Sequence, residues 1–221
     1  MTYLSAIWVT EIEAAKQLQN ELRDRVIRED QFGTVQRIAG VDVAFAENNT
    51  ITKAAVVVLS YPDLTVLESA IAHTPTTFPY VPGFLSFREI PALIQALDKI
   101  SLTPDLIFCD GQGIAHPRRL GIASHLGVLM DIPTIGVAKS ILVGKHEPVP
   151  LDKGQWVPLV HQKEVIGAAL RSRVNVKPLY ISLGHKISLE TAIAYVQNCL
   201  TKYRLPEPTR LADKLSKTKI D

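Results

Sequence analysis

The sequence has few of the features that mark secreted, fibrous or membrane-spanning proteins. Only two of its 221 residues are cysteines, Cys109 and Cys199. Both lie in apolar stretches, so we expect reduced, buried thiols in a cytoplasmic protein. The longest run without Asp, Glu, Lys or Arg, residues 69–87, contains three prolines, and no membrane span is therefore expected. Residues 1–10 lack the positive charge of a secretory signal.

A strong net charge is also missing. Lys and Arg number 24 and Asp and Glu number 22, which leaves a formal charge of +2. With 47% hydrophobic residues the chain is an ordinary globular protein, for which we expect one domain, residues 1–221, and a monomer. Any basic surface for a polyanion must then be local. Candidates are the acid-free segment 165–189 and the tail 201–221, unless these are merely solvated surface; the basic residues of the former are Arg171, Arg173, Lys177 and Lys186.

Apolar periodicity predicts an orderly series of helices and strands. Thr10 and Glu13 form a capping box, and helical spacing continues from there to about Asp30. Three strand-like runs joined by short turns then predict an antiparallel meander. Two later runs without a polar face predict parallel strands that are buried on both sides. After the first helix the predicted elements are strands at 38–45, 51–59 and 65–72, a helix ending near Ile100, a strand at 106–109, a helix at 119–130, a strand at 133–138, further strands within 156–183, and helices at 188–200 and 208–216.

This order is typical of an α/β protein with the ribonuclease H-like fold. That fold has a mixed sheet in which an antiparallel three-strand meander is followed by parallel strands, with flanking helices. It carries one acidic residue in the middle of its first strand and a second at the end of its fourth, which pairs beside the first. Asp42 and Asp110 occupy these two places in the predicted strands.

The two carboxylates are the strongest candidates for chemistry. Asp is depleted in strands, and two carboxylates on neighbouring strands repel each other unless a metal or a shared proton intervenes. Hard oxygen ligands without a Cys/His cluster favour Mg²⁺ or Mn²⁺ over zinc. Taken singly, Asp42 has a bland alternative in a solvated sheet face, and Asp110 has one in a turn-forming Asp-Gly pair.

Further candidates lie in the segments that follow these strands. Lys139 follows the last parallel strand, where an ammonium group stabilises a phosphate or a leaving oxygen. Tyr80 lies in a proline-braced loop, which suits an aromatic wedge between stacked bases as well as simple core packing. The remaining candidates each have an ordinary structural alternative; they are Glu89 at a helix start, His116, and Arg118 and Arg119 as phosphate ligands at a helix start.

Several long motifs in the sequence resemble those of the endonuclease V family. They run in order over nearly the whole chain, and motifs of this length are very specific. The matching segments are GVDV at 40–43, PYVPGFLSFRE at 79–89, DGQG at 110–113, HPRRLGIASH at 116–125, GVAK at 136–139 and RLPEPTR at 204–210.

The resemblance implies a metal-dependent repair nuclease that recognises deaminated bases in double- and single-stranded DNA, chiefly deoxyinosine. It implies hydrolysis of the second phosphodiester bond 3′ to the lesion, which leaves 3′-hydroxyl and 5′-phosphate ends. The implied cofactor is Mg²⁺, for which Mn²⁺ substitutes. The resemblance leaves open whether RNA containing inosine is also a substrate.

The resemblance also implies a role for each motif residue. Asp42 and Asp110 would be the principal metal ligands, with Glu89 assisting directly or through water. Asp213 stands at the fourth acidic-or-His position, which varies in the family, and it would there be a further catalytic residue, whose role as a metal ligand the resemblance leaves open. The remaining implied roles are a strand-separating wedge at Tyr80, a pocket for the turned-out base at Leu85, Gly113, Gly121 and Ile122, and substrate or leaving-group contacts at His116 and Lys139.

Two other classes of function compete with this interpretation. One is a non-catalytic binder of nucleic-acid junctions on the same fold, and the other is a small-molecule phosphohydrolase that uses the same carboxylates. The presence of Asp42, Glu89, Asp110 and Lys139 argues against the binder. The proline-braced loop at residues 74–83, which we call the wedge loop, and the basic tail both argue against a small substrate.

Overall fold

The computed structural model describes residues 8–218, and most of the segment 1–10 interpreted above lies outside the described residues. Across residues 8–218, every helix is too short or too polar to cross a membrane. The elements are α1 (Ile12–Arg23), β1 (Arg37–Ala46), β2 (Ile51–Ser60), β3 (Val66–Pro75), α2 (Leu85–Leu97), β4 (Leu106–Cys109), α3 (Ile122–Met130), β5 (Thr134–Ala138), β6 (Trp156–His161), β7 (Glu164–Leu170), β8 (Leu179–His185), α4 (Leu189–Asn198) and α5 (Glu207–Ser216).

All eight strands form one mixed sheet in the order β3-β2-β1-β4-β5-β8-β7-β6. The first three strands pair antiparallel, and β4 and β5 join them in parallel with β1. The last three strands return to antiparallel pairing. The predicted ribonuclease H-like fold, with its meander, parallel strands and flanking helices, is therefore confirmed. The strands β4 and β5 are buried at every position, as their uniformly apolar sequences predict.

Helices cover both faces of the sheet, and two clusters of buried side chains separate them from it. On one face, α4 and α5 pack over side chains that include Ile38 and Phe108. On the other face, α2 and α3 pack over Val41 and Ile107. Alternate residues of β1 therefore enter different cores, and Asp42 lies on the α5 face, as its place in the predicted strand required.

Three predicted helix boundaries are wrong, at both ends of α1 and at the start of α3. The Thr10–Glu13 capping box does not form, since Glu11 is the N-cap residue and no side chain caps the helix. Helix α1 ends at Arg23 instead of near Asp30, because Val26 packs against the core from outside the helix. Helix α3 begins at Ile122 instead of Arg119, whose φ of 58° is left-handed and cannot continue a helix.

A glycine lets α5 lie directly on the central strand. A Cβ atom on Gly40 would stand 1.9 Å from the carbonyl oxygen of Pro208, in the first turn of α5. No side chain fits in that gap, so the residue that precedes Val41 and Asp42 must be glycine. The close approach lets the far end of α5 reach Asp42 in the middle of β1.

Candidate active site

The middle of β1 and the carboxyl ends of β4 and β5 place the predicted reactive side chains together. Val41 of β1 pairs with Cys109 of β4, which pairs with Gly136 of β5. Asp42 and Asp110 are the next residues on their strands, and the amide of Asp110 donates to the Val41 carbonyl at 3.2 Å. Such strand ends form the ligand-binding edge of a parallel sheet. The predicted neighbourhood of the two carboxylates is what the structure shows.

A third carboxylate joins them from α5. Oxygen atoms of Asp42, Asp110 and Asp213 all lie within 4.8 Å of one another. Lys139 Nζ donates to Asp110 at 2.5 Å and to Asp213 at 2.7 Å. The hydroxyl of Ser216, one turn after Asp213, donates to the carboxylate of Asp42. We call these three aspartates the carboxylate cluster.

The cluster holds more negative charge than its one bridging lysine neutralises. Burial, and then the hydrogen bond and charge of Asp110, raise the pKa of Asp42 well above its ordinary value. Burial alone would lower the pKa of Lys139, but Asp110 and Asp213 outweigh it and raise that pKa. Burial would raise the pKa of Asp213, yet Lys139 and Lys217 lower it. Asp42 therefore lacks a full counter-charge in this cluster, and a cation bound there would supply one.

The donor set fits a hard divalent ion. Carboxylate oxygens are the ligands that Mg²⁺ and Mn²⁺ prefer, and two oxygens on one Mg²⁺ stand about 2.9 to 4.2 Å apart. The oxygens of the cluster all lie within 4.8 Å of one another, so small side-chain movements let them share one ion. The residues present therefore fit a metal centre built by Asp42, Asp110 and Asp213.

Glu89 lies beside this cluster and outside it. The sequence paired Glu89 with Asp42 and Asp110 as metal ligands, whereas the described residues group Asp213 with them. Burial, and then the charges of Asp42 and Asp110, raise the pKa of Glu89 to about 8. The negative charge of the cluster therefore acts on Glu89. Assistance of a bound metal by Glu89 through a water molecule stays a prediction.

A cavity of about 290 Å³ opens next to the carboxylates. Glu89, Asp110 and Tyr80 all line it. Of the residues predicted for a base pocket, Leu85, Gly121 and Ile122 line the cavity. No sequence pattern distinguishes two further lining residues, Ile141 and Leu142, which are ordinary apolar residues of an irregular segment.

Gly113, the fourth predicted pocket residue, is not among the lining residues of this cavity. Its amide donates to Ser182 Oγ at 2.8 Å, and its carbonyl accepts from the amide of Gly121 at 2.9 Å. A Cβ at this position would stand 1.9 Å from the Leu183 carbonyl oxygen. Gly113 therefore supports the cavity wall from below.

The proline-braced loop divides its two aromatic side chains. Phe78 is buried against Phe84 and Phe87. Tyr80 is 71% exposed at the cavity rim. The sequence left both core packing and a wedge open for this loop. Phe78 packs in the core, whereas the wedge role of the exposed Tyr80 stays a prediction.

His116, Arg118 and Arg119 are held by partners within the protein. The Nδ1 atom of His116 accepts from the Arg118 amide at 3.1 Å, so Nε2 donates to the Gly83 carbonyl at 3.0 Å. Burial, and then the charge of Arg118, lower the pKa of His116 to about 4. The ring is therefore neutral at physiological pH and braces the wedge loop, while its predicted contact with substrate stays a prediction.

The two arginines do not stand at a helix start, which corrects the basis of their predicted phosphate role. Arg118 donates to the Gly83 carbonyl at 2.7 Å and covers the ring of Phe84 at 4.2 Å. Arg119 donates to Glu164 at 2.7 Å. The structure gives both guanidinium groups internal partners, and phosphate binding by them remains a prediction.

Comparison with known proteins agrees with the motifs. A model of the endonuclease V family matches residues 20–214. Endonuclease V of Rippkaea orientalis is 64% identical over 208 residues, which cover 94% of this chain and 91% of that protein. The crystal structure of endonuclease V from Streptomyces avermitilis is 44% identical, with a TM-score of 0.90 over 95% of this chain and 93% of that chain.

A complex provides a third comparison. Ciona intestinalis endonuclease V, crystallised with a 23mer DNA containing an inosine followed by a ribo-adenosine, is 35% identical. Its TM-score is 0.82 over 93% of this chain and 95% of that chain. Family match, sequence identity and shared fold all extend over nearly the entire chain, and this protein therefore belongs to the endonuclease V family.

Proposed function

We propose that this protein is a metal-dependent repair endonuclease that acts on deaminated bases in DNA, chiefly deoxyinosine. The observation that carries the proposal is the carboxylate cluster, which opens onto a cavity with the exposed Tyr80 at its rim. The Ciona relative crystallised with inosine-containing DNA supports the substrate class. The proposed cut is at the second phosphodiester bond 3′ to the lesion and leaves 3′-hydroxyl and 5′-phosphate ends.

The proposed cofactor is Mg²⁺, with Mn²⁺ as a substitute, held by Asp42, Asp110 and Asp213. When bound, such an ion polarises a water molecule and stabilises charge on a phosphoryl oxygen. Lys139 stays protonated between Asp110 and Asp213, so its ammonium group is available to the scissile phosphate or the leaving oxygen. Glu89 assists from the cavity side.

We assign lesion recognition to the cavity beside the carboxylate cluster. Deamination of adenine replaces an amino donor with a carbonyl acceptor, which backbone groups can distinguish once the base leaves the stack. Leu85, Gly121 and Ile122 would contact the turned-out base, with Gly113 beneath them. Asp110 lines the same cavity, which supports a cut close to the lesion.

The test uses an end-labelled duplex with one deoxyinosine, alongside the same duplex with adenine. We expect Mg²⁺-dependent cutting of the inosine strand only, with a product length that identifies the second bond 3′ to the lesion. Loss of terminal phosphate on phosphatase treatment identifies the 5′ end. Retention of the inosine duplex without cutting would indicate a binder, and hydrolysis of small phosphate esters alone would indicate a phosphohydrolase.

The same assay tests further nucleic-acid substrates, and a separate measurement tests the assembly. Single-stranded DNA with deoxyinosine is expected to be cut as well, and an RNA of matching sequence tests whether inosine in RNA is a substrate. We further propose that the chain acts in the cytoplasm as a monomer with one domain, residues 1–221. Light scattering during turnover, at a mass near 24.4 kDa, tests the monomer.

A further inference from the structure

One carbonyl group in the wedge loop receives three side-chain donors. The oxygen of Gly83 accepts from His116 Nε2 at 3.0 Å, from Arg118 Nη2 at 2.7 Å and from Gln19 Nε2 at 3.0 Å. Gly83 has a φ of +82°, which glycine adopts without strain. Three donors on one carbonyl hold the backbone at Gly83 in this conformation.

Gln19 is the least expected of the three donors. It lies in α1, outside every motif described above in the sequence, and its side chain is completely buried. Its amide nitrogen also donates to the Leu120 carbonyl at 3.4 Å, and its amide oxygen accepts from Arg118 Nε at 2.5 Å. Every polar atom of the side chain is therefore used.

These contacts connect two segments of the chain that line the cavity. Gly83 belongs to the segment that carries Tyr80 and Leu85, which we call the Tyr80 wall, and Leu120 directly precedes Gly121 and Ile122, which we call the Ile122 wall. The other buried residues on this face of α1, Ala15 and Leu22, are apolar. Burying an amide gains nothing over an apolar side chain unless its hydrogen bonds matter, so packing alone does not explain glutamine here.

We propose that Gln19 is a positioning residue that fixes the distance between the wedge loop and the base pocket, and so sets how well the protein discriminates deoxyinosine from normal bases. This inference rests on the proposed function. Gln19 acts through the backbone of Gly83 and Leu120 and does not itself meet the base. Its loss lets the Tyr80 wall shift relative to the Ile122 wall, while the carboxylate cluster on β1, β4 and α5 keeps its contacts.

The test replaces Gln19 with residues of equal length. Gln19→Met removes all three hydrogen bonds at nearly constant volume, and Gln19→Glu keeps the contact to Arg118 but loses the donor to Gly83 and Leu120. The control is Gln17→Met, at an exposed position of the same helix, where the side chain donates to Glu21. Affinities for an inosine duplex and for its undamaged counterpart are measured by fluorescence anisotropy, with circular dichroism and thermal unfolding to verify the fold.

We expect both Gln19 variants to lose discrimination between the two duplexes by about 10- to 100-fold, the effect of a misplacement near 1 Å. The control should discriminate as the wild type does. In a Tyr80→Ala background, Gln19→Met should change the ratio by less than about 2-fold, because the wall it positions no longer carries its wedge. Binding of Mn²⁺, followed by electron paramagnetic resonance, should be unchanged.

Three results would overturn the proposal. The first is an equal loss of affinity for the inosine and the undamaged duplexes. The second is an undiminished effect of Gln19→Met in the Tyr80→Ala background. The third is unaltered discrimination in a folded Gln19 variant, for which Gln19→Glu is decisive if Gln19→Met does not fold. Failure of the proposed function is distinguishable from these, since the wild type itself would then show no preference for the inosine duplex.

Discussion

Asp42 is a buried carboxylate in an otherwise apolar strand, and it is expected to oppose folding while it serves the reaction. Its pKa is raised above the unfolded value, so the folded state binds its proton more tightly. Asp42 therefore costs little stability in acid, and its cost grows as pH rises from the unfolded pKa through the raised folded pKa. A cation in the carboxylate cluster would offset this cost.

The first prediction concerns Asp42→Asn. Without metal, the variant should be more stable than wild type by on the order of 1 kcal/mol at pH 8, and by less at pH 5, because the neutral amide is not repelled by Asp110. It should also lose at least about 100-fold in Mg²⁺-dependent cleavage, since a ligand is gone. Urea unfolding in EDTA and cleavage of the inosine duplex measure the two effects. Asp63→Asn, in an exposed turn, should change neither; wild-type cutting by Asp42→Asn would refute the assignment.

Tyr80 gives the second prediction. Base–aromatic stacking contributes about 1–3 kcal/mol, so Tyr80→Ala should weaken binding to the inosine duplex by roughly 5- to 150-fold. Single-stranded inosine DNA needs no strand opening and should lose less. Mn²⁺ affinity should not change, because no ligand is removed. The buried Phe78 of the same loop offers a contrast, since Phe78→Leu should lower stability first. Equal losses on single and double strands would make Tyr80 a packing residue.

Helix α5 carries one third of the carboxylate cluster and depends on a glycine to reach it. The third prediction is that Gly40→Ala pushes the first turn of α5 away from β1, since the new Cβ would clash with the Pro208 backbone. Overpacking of this kind costs about 1–3 kcal/mol, and Mn²⁺ affinity should fall with it as Asp213 moves. Gly33→Ala is the matched control, because a Cβ at Gly33 meets nothing within 4 Å. Urea unfolding of both variants tests this, and equal stability of the two would contradict the close packing.

How far the sequence predicts each element depends on where its signal comes from. Strand β4 is predicted to the residue, because an apolar run between Pro104 and Asp110 has no other solution. The end of α1 is not, because Val26 continues the apolar spacing but packs from irregular chain. Asp110 and Lys139 follow from strand order alone. Gln19 and Ser216 could not be found, since a polar residue on a helix has no pattern that distinguishes a buried contact from a solvated one.

The surface as a whole determines how the protein meets a polyanion, and the structure divides the basic residues of segment 165–189 into two kinds. Arg171 is committed to the carbonyl groups of Val149, Pro150 and Val176, so it braces loops and is no longer a candidate for the phosphate backbone. Lys186 pairs with Asp131. Arg173 and Lys177 are exposed and remain candidates.

The fourth prediction is therefore confined to Arg173. If it contacts a phosphate, Arg173→Glu should reduce the slope of log affinity against log salt by about 1 for any duplex. The preference for inosine over adenine should be unchanged, because phosphate contacts carry no base information. Titrations at several salt concentrations measure the slope. Arg171→Glu, in contrast, should lower thermal stability, and an unaltered slope for Arg173→Glu would return that residue to the solvated surface.

The late position of α5 in the chain has a consequence for protein synthesis. Translation delivers Asp42 and Asp110 early, whereas Asp213 and Ser216 arrive only in a helix that begins at Glu207. A message that is broken or stalled before that codon yields a polypeptide with two of the three clustered carboxylates and with the β1–β2 face that α5 covers left bare. If the proposed metal site needs all three carboxylates, such a product is expected to be inactive. The order of the elements would then keep unfinished copies of the nuclease from cutting DNA.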